Sequence, residues 1–192
     1  MNESKSILVE NTWLRSEDCE YLILLYETFW SPDVGTDSNG DRGLYYTVFS
    51  GSTEAKQYLR ALTKRLQDRI QEFFGVTGLF LEALFLAALL KGAFHKRHAD
   101  NEKYVGGKWI PNHVPQRDYT ALVYLNSDFG GGDLRFPQHN VCIRPQRGLL
   151  VAFPSNGAFV HRVTRVNRGT RYSMPVWFTK DKRFATTLLS EP

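Results

Sequence analysis

The strongest constraint on the fold is a series of short β-type segments in the second half of the chain. Glycine-containing turns separate several of them, among them residues 130–132 (GGG) and 167–169 (NRG). Several short strands at this spacing predict a sandwich or a barrel of antiparallel sheets. The segments cover residues 119–125, 133–136, 141–143, 149–153, 160–166 and 171–179.

The first 77 residues carry a different, helical pattern. Apolar residues recur at helical spacing after Ser16, a candidate N-cap, and again after Ser52 or Thr53. Gly75 follows the second series, where a C-cap glycine belongs. Between these helices, residues 31–43 are polar and turn-forming and predict a loop, and residues 44–49 predict a strand.

Two further segments are less clear from local pattern. Residues 78–92 (GLFLEALFLAALLKG) are rich in helix-favouring Leu and Ala, but the length and the flanking glycines also allow a buried strand. Residues 101–118 contain two glycines and two prolines and predict a long loop. Loops of this length in compact domains are often functional.

Size and composition indicate an ordinary globular protein. The 192 residues, 42% hydrophobic and 23% charged, suffice for one domain whose core needs no disulfide. Cys19 and Cys142 fit no metal-ligand motif, and we expect both to be buried, reduced thiols. The net charge of +4 is mild and no run of five basic residues occurs, so the sequence does not predict nucleic-acid binding.

No segment has the pattern of a membrane span or a targeting signal. The longest apolar run, residues 78–90, contains Glu82 and is too short to cross a bilayer. The N-terminal residues lack the apolar stretch of a signal peptide. We therefore expect a cytoplasmic protein without membrane partners, and the sequence leaves its oligomeric state open.

Three residues form a candidate metal site. In a strand, residues i and i+2 point to the same face, so His98 and Asp100 would emerge side by side. Alone this is weak evidence, because five histidines and 20 acidic residues give such a pair by chance in about a third of chains. His161 follows 63 residues later in another β-type segment. Two histidines and one carboxylate form the facial triad of non-haem Fe(II) oxygenases.

Arg171 is a candidate for binding a co-substrate. A facial triad leaves three coordination positions open, enough for a bidentate 2-oxo acid and dioxygen. The far carboxylate of such an acid needs a fixed cation, and the planar guanidinium binds carboxylates bidentately. Arg171 lies ten residues beyond His161. Taken alone, an arginine at such a place is more often a surface residue on an edge strand.

Four longer motifs resemble one known family. They are HADN (98–101), RDYTALVYLNSDFGGGDLRF (117–136), IRPQRGLLVAFPS (143–155) and HRVTRVNRGTRYSMPVWFT (161–179). In order and spacing they resemble the Fe(II)/2-oxoglutarate-dependent dioxygenases of the prolyl hydroxylase superfamily, with particular likeness to the prolyl 3-hydroxylase (leprecan-like) catalytic domain. The resemblance covers about residues 84–179, half of the chain.

The resemblance implies a mainly β fold with flanking helices. Its core would be a double-stranded β-helix (a jelly-roll, cupin-like) with the N-terminal helices packed on one sheet. The single dioxygenase domain, residues 1–192, would comprise a helical support region (1–77), the β-helix core (78–179) and a C-terminal tail (180–192). Residues 80–90 would then be strand, and the turn at 167–169 would carry the chain between sheets.

The resemblance also implies cofactors and residue roles. It implies Fe(II), 2-oxoglutarate and O2, and leaves open a need for ascorbate. His98, Asp100 and His161 would hold the metal and be catalytic. Arg171 and Tyr124 would bind the C5 carboxylate of 2-oxoglutarate, although Tyr124 fits a core aromatic equally well. The remaining expected roles are Leu134 and Trp177 as pocket wall, and Arg117, Trp109 and His113 near the substrate.

Some positions depart from the family pattern. Ala88 stands where many of these hydroxylases have a tyrosine that contacts 2-oxoglutarate, and Tyr104 is one candidate to replace it. Pro175 stands where some relatives have threonine. His95 and His139 are expected not to be ligands. Neither the extra N-terminal domains of animal prolyl 3-hydroxylases nor a secretory signal is evident, so collagen is a doubtful substrate.

The expected activity is hydroxylation of an aliphatic C–H bond with release of succinate and CO2. The substrate would be a prolyl residue, proline or a related amino acid. Two alternatives stay open, namely a hydroxylase of a biosynthetic small molecule and a non-catalytic jelly-roll that binds a metal or a ligand. The intact triad together with Arg171 disfavours the second alternative.

Overall fold

A computed structural model describes residues 7–38 and 40–186. Two α-helices and 15 β-strands make up the described regular structure, joined by short 3-10 turns. The elements are β1 (Leu8–Glu10), α1 (Ser16–Phe29), β2 (Thr36–Ser38), β3 (Asp41–Tyr45), α2 (Thr53–Phe74), β4 (Phe80–Leu89), β5 (His95–His98), β6 (Glu102–Val105), β7 (Lys108–Pro111), β8 (Tyr119–Tyr124), β9 (Gly130–Gly131), β10 (Leu134–Phe136), β11 (Val141–Ile143), β12 (Leu150–Pro154), β13 (His161–Val163), β14 (Val166–Arg168) and β15 (Arg171–Thr179).

Two antiparallel sheets face each other. The major sheet has seven described strands in the order β1-β12-β8-β15-β4-β3-β2, and the minor sheet has four in the order β11-β10-β13-β5. Two-stranded ribbons, β14-β9 and β6-β7, complete the strand pairing of the described chain. This arrangement is the double-stranded β-helix that the family resemblance implies, with helices against one sheet.

The two helices cover the outer face of the major sheet. The apolar stripe of α2, including Leu59, Leu66 and Ile70, packs with buried residues of α1, β4, β8 and β15 in one hydrophobic cluster. Ser52 caps α2, since its hydroxyl accepts a hydrogen bond from the Ala55 amide at 3.2 Å. Gly75 ends α2 in the left-handed region at φ 65°, as the sequence predicts. Ser16 is different from expectation: it is the first helical residue of α1, and Arg15 holds the cap position without a side-chain bond.

Strand β4 resolves the ambiguous apolar segment. Leu84, Leu86 and Ala88 belong to the cluster under the helices. Phe85, Ala87 and Leu89 line the space between the two sheets. This alternation with period two requires a strand that is covered on both faces. Burial on both sides explains why helix-favouring Leu and Ala occur here.

Three local expectations need correction. The expected loop at residues 31–43 contains β2, which pairs with β3, and the strand expected at 44–49 ends at Tyr45 and gives way to a 3-10 turn. The expected long loop at 101–118 contains the β6–β7 hairpin. Gly106 and Gly107 turn it at φ 58° and 84°, and a two-residue hairpin turn with positive φ at both positions favours glycine.

The turn at residues 167–169 connects two sheets, as the family resemblance implies, and one further strand extends the major sheet. Strand β14 pairs with β9, whereas β15 pairs with β4 and β8, so the turn at 167–169 does carry the chain between sheets. The N-terminal strand β1, which the local pattern does not predict, adds to the major sheet beside β12. Residues 187–192 of the expected tail lie outside the described chain. No helix in the described residues is both long and apolar enough to span a membrane.

Candidate metal centre

The three expected metal ligands come together at one end of the minor sheet. His161 opens β13 directly opposite His98, the last residue of β5. Asp100 Oδ1 lies 3.4 Å from His98 Nε2 and 3.8 Å from His161 Nε2. The potential ligand atoms of all three residues lie within 4.8 Å of one another, close enough to share one ion.

The backbone orients both imidazoles towards this point. His98 Nδ1 lies 2.8 Å from the Lys96 carbonyl oxygen, and His161 Nδ1 lies 3.0 Å from the Phe159 carbonyl oxygen. A carbonyl oxygen only accepts, so each Nδ1 is the donor and carries the proton. Each Nε2 then keeps a free lone pair facing the centre, as a metal ligand requires.

Asp100 follows the strand rather than continuing it, because β5 ends at His98. The Asp100 amide donates to the Ser155 carbonyl at 2.9 Å, and the Thr120 hydroxyl donates to Asp100 Oδ2 at 2.5 Å. Thr120 also shares a 2.8 Å hydrogen bond with the Ser155 hydroxyl. Because Oδ2 is held by Thr120, the other oxygen, Oδ1, is the one that faces the imidazoles.

Burial and mutual charge set the protonation of the cluster. Burial raises the pKa of Asp100, but the neighbouring His161 and His98 and the hydrogen bond from Thr120 outweigh it, and the net shift is downward. Burial lowers the pKa of His161 to about 4. Burial also disfavours the charged form of His98, but its contact with Asp100 raises the pKa. Near neutral pH the cluster therefore offers an anionic carboxylate and an uncharged His161 ring.

A cavity of about 220 Å³ runs from the triad between the two sheets. Eight apolar side chains form one part of its wall, while Arg171, Ser173, Thr120 and Asp41 are among the residues that add polar groups. The complete lining comprises Thr36, Asp41, Gly43, Phe85, Ala87, Leu89, His95, His98, Asp100, Thr120, Leu122, Leu134, His161, Val163, Arg171, Ser173, Pro175 and Trp177. The expected wall residues Leu134 and Trp177 are both among them.

Arg171 brings a buried cation into this cavity. The residue is 2% exposed, and one terminal nitrogen donates to the Ser173 hydroxyl at 3.1 Å. No carboxylate of the described residues forms an ion pair with it, and its Nε has no hydrogen-bond partner there. A buried charge without a counter-charge is costly, so the site is suited to an anionic ligand.

Tyr124 and Gly132 shape the surroundings of Arg171. The guanidinium carbon lies 4.8 Å from the centre of the Tyr124 ring, and the buried Tyr124 hydroxyl has no hydrogen-bond partner among the described residues. Burial raises the pKa of Tyr124, against the opposing effect of Arg171, so this hydroxyl keeps its proton and can donate. A Cβ at Gly132 would lie 2.9 Å from Arg171 Cδ, and its φ of 68° also favours glycine.

A second, more open groove lies on the other side of the triad. It collects the three residues expected near the substrate, Trp109, His113 and Arg117, together with Trp177. Arg117 donates to Glu82 at 3.1 Å and lies over the Trp177 ring at 4.0 Å, so it is fixed in place. The volume of this open groove is about 640 Å³. The groove could accommodate an extended chain leading to the metal centre.

Two expectations about the missing family tyrosine need correction. Ala88 belongs to the cluster under the helices, so it faces away from the cavity, which β4 lines with Phe85, Ala87 and Leu89. Tyr104 is 62% exposed on β6 and lines the open groove, not the cavity. The alternation of β4 thus shifts the relevant positions by one residue.

The sequence does not predict that several other residues lie at the site. Asp41 and His95 line the cavity and are joined by a 2.8 Å contact between Oδ2 and Nε2, although 54 residues separate them. The candidate ligand cluster among the described residues comprises His98, Asp100 and His161. Thr120 and Ser173 could have been suggested by alternation, since each shares a strand face with a predicted site residue, Tyr124 or Arg171.

Comparison with known proteins adds a family and a fold. The family model described as the 2OG-Fe(II) oxygenase superfamily matches residues 84–179. Mouse (Mus musculus) prolyl 3-hydroxylase 3 is 44% identical over 94 residues, which is 44% of this chain but 13% of the mouse protein. The chain therefore spans only a small part of that relative.

Solved structures share the architecture. The Pseudomonas putida prolyl-4-hydroxylase superposes with a TM-score of 0.71 and 23% identity, covering 92% of this chain and 93% of that one. The viral collagen prolyl hydroxylase from Paramecium Bursaria Chlorella virus-1, in its 2OG complex, gives a TM-score of 0.69 at 17% identity, covering 92% and 97%. At these identities the likeness shows the double-stranded β-helix fold.

Proposed function

The chain belongs to the 2OG-Fe(II) oxygenase superfamily, and on that basis we propose that it hydroxylates an aliphatic C–H bond of a prolyl residue. Fe(II) and 2-oxoglutarate are the cofactor and co-substrate of this enzyme class. The observation that carries the proposal is the position of the triad between a closed cavity with a buried arginine and an open groove.

The metal ligands in the proposal are His98, Asp100 and His161. Both histidines present Nε2, and Asp100 presents one oxygen because Thr120 holds the other. Two imidazoles and a carboxylate suit Fe(II) and leave other positions free for ligands. The bound metal and 2-oxoglutarate supply the oxidative chemistry, which no side chain here can perform.

The closed cavity fits 2-oxoglutarate. Arg171 and Ser173 would bind its far carboxylate, with the Tyr124 hydroxyl as a further donor. The apolar wall, including Leu134 and Trp177, would enclose the carbon chain and exclude water. The cavity would thereby position the near end of the co-substrate at the triad.

The open groove suits a peptide better than a free amino acid. Its wall of Trp109, His113, Arg117 and Trp177 is accessible from solvent and extends past the triad. The mouse relative named prolyl 3-hydroxylase 3 supports a prolyl substrate for this chain.

In the overall reaction one atom of O2 enters the substrate, and the other enters succinate as 2-oxoglutarate loses CO2.

The test is a panel of substrates with Fe(II) and 2-oxoglutarate. Prolyl peptides, the same peptides with alanine for proline, free proline and other amino acids are incubated with the protein, and succinate and hydroxylated product are measured. We expect hydroxylation of prolyl peptides with matching succinate, and none with the alanine peptides. Hydroxylation of free proline alone would assign an amino-acid substrate, and product from neither would point to a biosynthetic small molecule.

A further inference from the structure

The C-terminal half of the chain is free of acidic residues over a long stretch. Residues 134–179 contain seven arginines and no lysine, aspartate or glutamate. Arg171 lies in the cavity, and Arg147 pairs with Glu20 at 2.7 Å. The other five are exposed on the surface. Such an asymmetry within a chain of net charge +4 concentrates positive charge in one region.

Three of these arginines meet two cations of β5 on the outer face of the minor sheet. We call this set the basic face; it consists of Lys96, Arg97, Arg135, Arg162 and Arg165, all exposed. Arg162 lies between two buried residues of β13, so it points away from the cavity. Its cross-strand neighbour on β10 is Arg135. On its other side, the irregular pairing with β5 places Lys96 and Arg97 opposite it.

This arrangement is unfavourable for the isolated protein. Like charges directly opposite each other on adjacent strands destabilise a sheet. Arg135 approaches Asp133 at 3.6 Å, but no ion pair is found for Lys96, Arg97, Arg162 or Arg165 within residues 7–38 and 40–186. Arg165 instead donates to the Gly92 carbonyl and lies over the Phe94 ring at 4.4 Å. Four of the five charges therefore have no counter-charge among the described residues, and Arg165 is held in position by its contacts.

The basic face is continuous with the substrate groove. Arg97 lines the open groove beside the triad and also a groove of about 350 Å³ formed by Lys96, Arg162 and Arg165. A chain that leaves the triad past His98 would pass Arg97 and reach the remaining cations. We infer that the basic face binds an acidic segment of the polypeptide substrate, next to the residue that is hydroxylated. This inference rests on the proposed function, whose substrate is a peptide.

A peptide carboxylate fits the face better than a nucleic acid does. Arginine binds carboxylates and phosphates alike, so charge alone does not decide. Proteins that bind single strands usually offer aromatic rings on which bases stack. Phe94 is the exposed aromatic of this groove, and the Arg165 guanidinium already lies over its ring at 4.4 Å. Continuity with a peptide groove therefore favours an acidic peptide.

The test compares two prolyl peptides of equal length. One carries a run of glutamates beside the proline, and the other carries glutamines at the same positions. The variant R135Q/R162Q removes two charges from the basic face and changes no residue of the open groove or the triad. The control K64Q/R168Q removes the same charge from α2 and β14, outside the face, and circular dichroism checks that both variants are folded.

We expect the acidic peptide to have the lower KM with the wild-type protein. R135Q/R162Q should raise that KM by about 10-fold, as for two lost charged contacts, with kcat and the KM of the neutral peptide unchanged. Added salt should reduce the preference, and K64Q/R168Q should keep it. Equal KM values for both peptides with the wild type would overturn the inference and leave the hydroxylase intact.

A binding measurement separates this inference from the proposed function. Fluorescence anisotropy follows a labelled oligoglutamate peptide without proline, and an RNA and a DNA oligonucleotide serve as competing probes. Binding of the glutamate peptide that R135Q/R162Q weakens by about 10-fold supports the face even if no prolyl peptide is hydroxylated. Tighter binding of an oligonucleotide, lost in the same variant, would overturn it in favour of a nucleic-acid surface.

Discussion

The major and minor sheets contribute to the same site under very different conditions. The major sheet is covered by helices on one face and by the cavity side on the other, and its strand β15 carries the buried Arg171. The minor sheet has one inner face, which carries His98 and His161, and an outer face of exposed cations. In the proposed function, the insulated sheet would supply the co-substrate anchor, while the exposed sheet would supply two of the three metal ligands and carry the basic face.

The largest expected effect concerns the metal ligands at the end of the minor sheet. His98→Ala or Asp100→Ala should abolish succinate formation with any substrate, because each removes one of three ligands. The folded state should persist, since the major sheet and helices hold most of the hydrophobic core. A succinate assay with circular dichroism checks both points. Near wild-type turnover in either variant would show that the metal site lies elsewhere.

Replacing the metal ion also tests the triad, without a mutation. Fe(II) should support turnover, whereas Zn(II) should occupy the triad and inhibit, because zinc has no redox chemistry. The succinate assay, repeated after removal of metal by a chelator and reloading, measures this. Turnover with Zn(II) alone would indicate hydrolysis or another reaction instead of oxygenation.

A smaller effect is expected at Arg171 on the major sheet. Arg171→Ala should raise the 2-oxoglutarate concentration needed for half-maximal rate by about 10- to 1000-fold, through loss of charged hydrogen bonds. Metal affinity without co-substrate should change little. Arg171→Lys should restore part of the loss, because lysine keeps the charge but not the planar fork.

The matched control for Arg171 is Arg168→Ala. Arg168 is exposed in β14, three residues earlier, and lines neither the cavity nor the open groove. It should leave the 2-oxoglutarate requirement unaltered. An unchanged requirement in Arg171→Ala would mean that a different group binds the far carboxylate.

The candidate ligand set could be predicted from residue types and their placement on strands. His98 and Asp100 are two residues apart, His161 lies in a later β-type segment, and Arg171 lies ten residues beyond it. The family resemblance then implied the same four residues. Asp41 and His95 were not predictable, since 54 residues separate them and only the pairing of β3 with β4 places Asp41 at the cavity. Local sequence contains no signal for such a pairing.

Two predictions place a residue on the correct strand but on the wrong face of it. Ala88 lies on a correctly predicted strand but faces the helices, because a shift of one residue reverses the face. Cys142 was expected to be buried, yet it is exposed on β11 between the inward-facing Val141 and Ile143. Alternation along a strand with one exposed face would have given its orientation.

Core packing under the major sheet should affect stability and leave ligand binding alone. Leu66 on α2 is fully buried against this sheet. Leu66→Ala should lower the free energy of unfolding by about 3 kcal/mol, as for other buried leucines. Urea unfolding measures the loss, and the 2-oxoglutarate requirement of the folded variant should stay at the wild-type value. A changed requirement would contradict the separation between scaffold and site.

The smallest perturbation labels the two thiols and changes no residue. Burial raises the pKa of Cys19, under the major sheet, to about 11, so little thiolate exists below that pH. Cys142 is exposed on the minor sheet. A thiol reagent at pH 8 should modify Cys142 in the native protein and Cys19 only after unfolding, as followed by mass spectrometry of peptides. Rapid native labelling of Cys19 would contradict the insulated character of the major sheet.

The most direct test of the account follows the oxygen atoms of 18O2. The protein is incubated with Fe(II), 2-oxoglutarate and a prolyl peptide under 18O2, and both products are analysed by mass spectrometry. We expect one labelled atom in the hydroxylated prolyl residue and one in succinate, in equal amounts, with neither product formed by Asp100→Ala. A hydroxyl oxygen that comes from water in place of O2, or product formation that persists in Asp100→Ala, would contradict it.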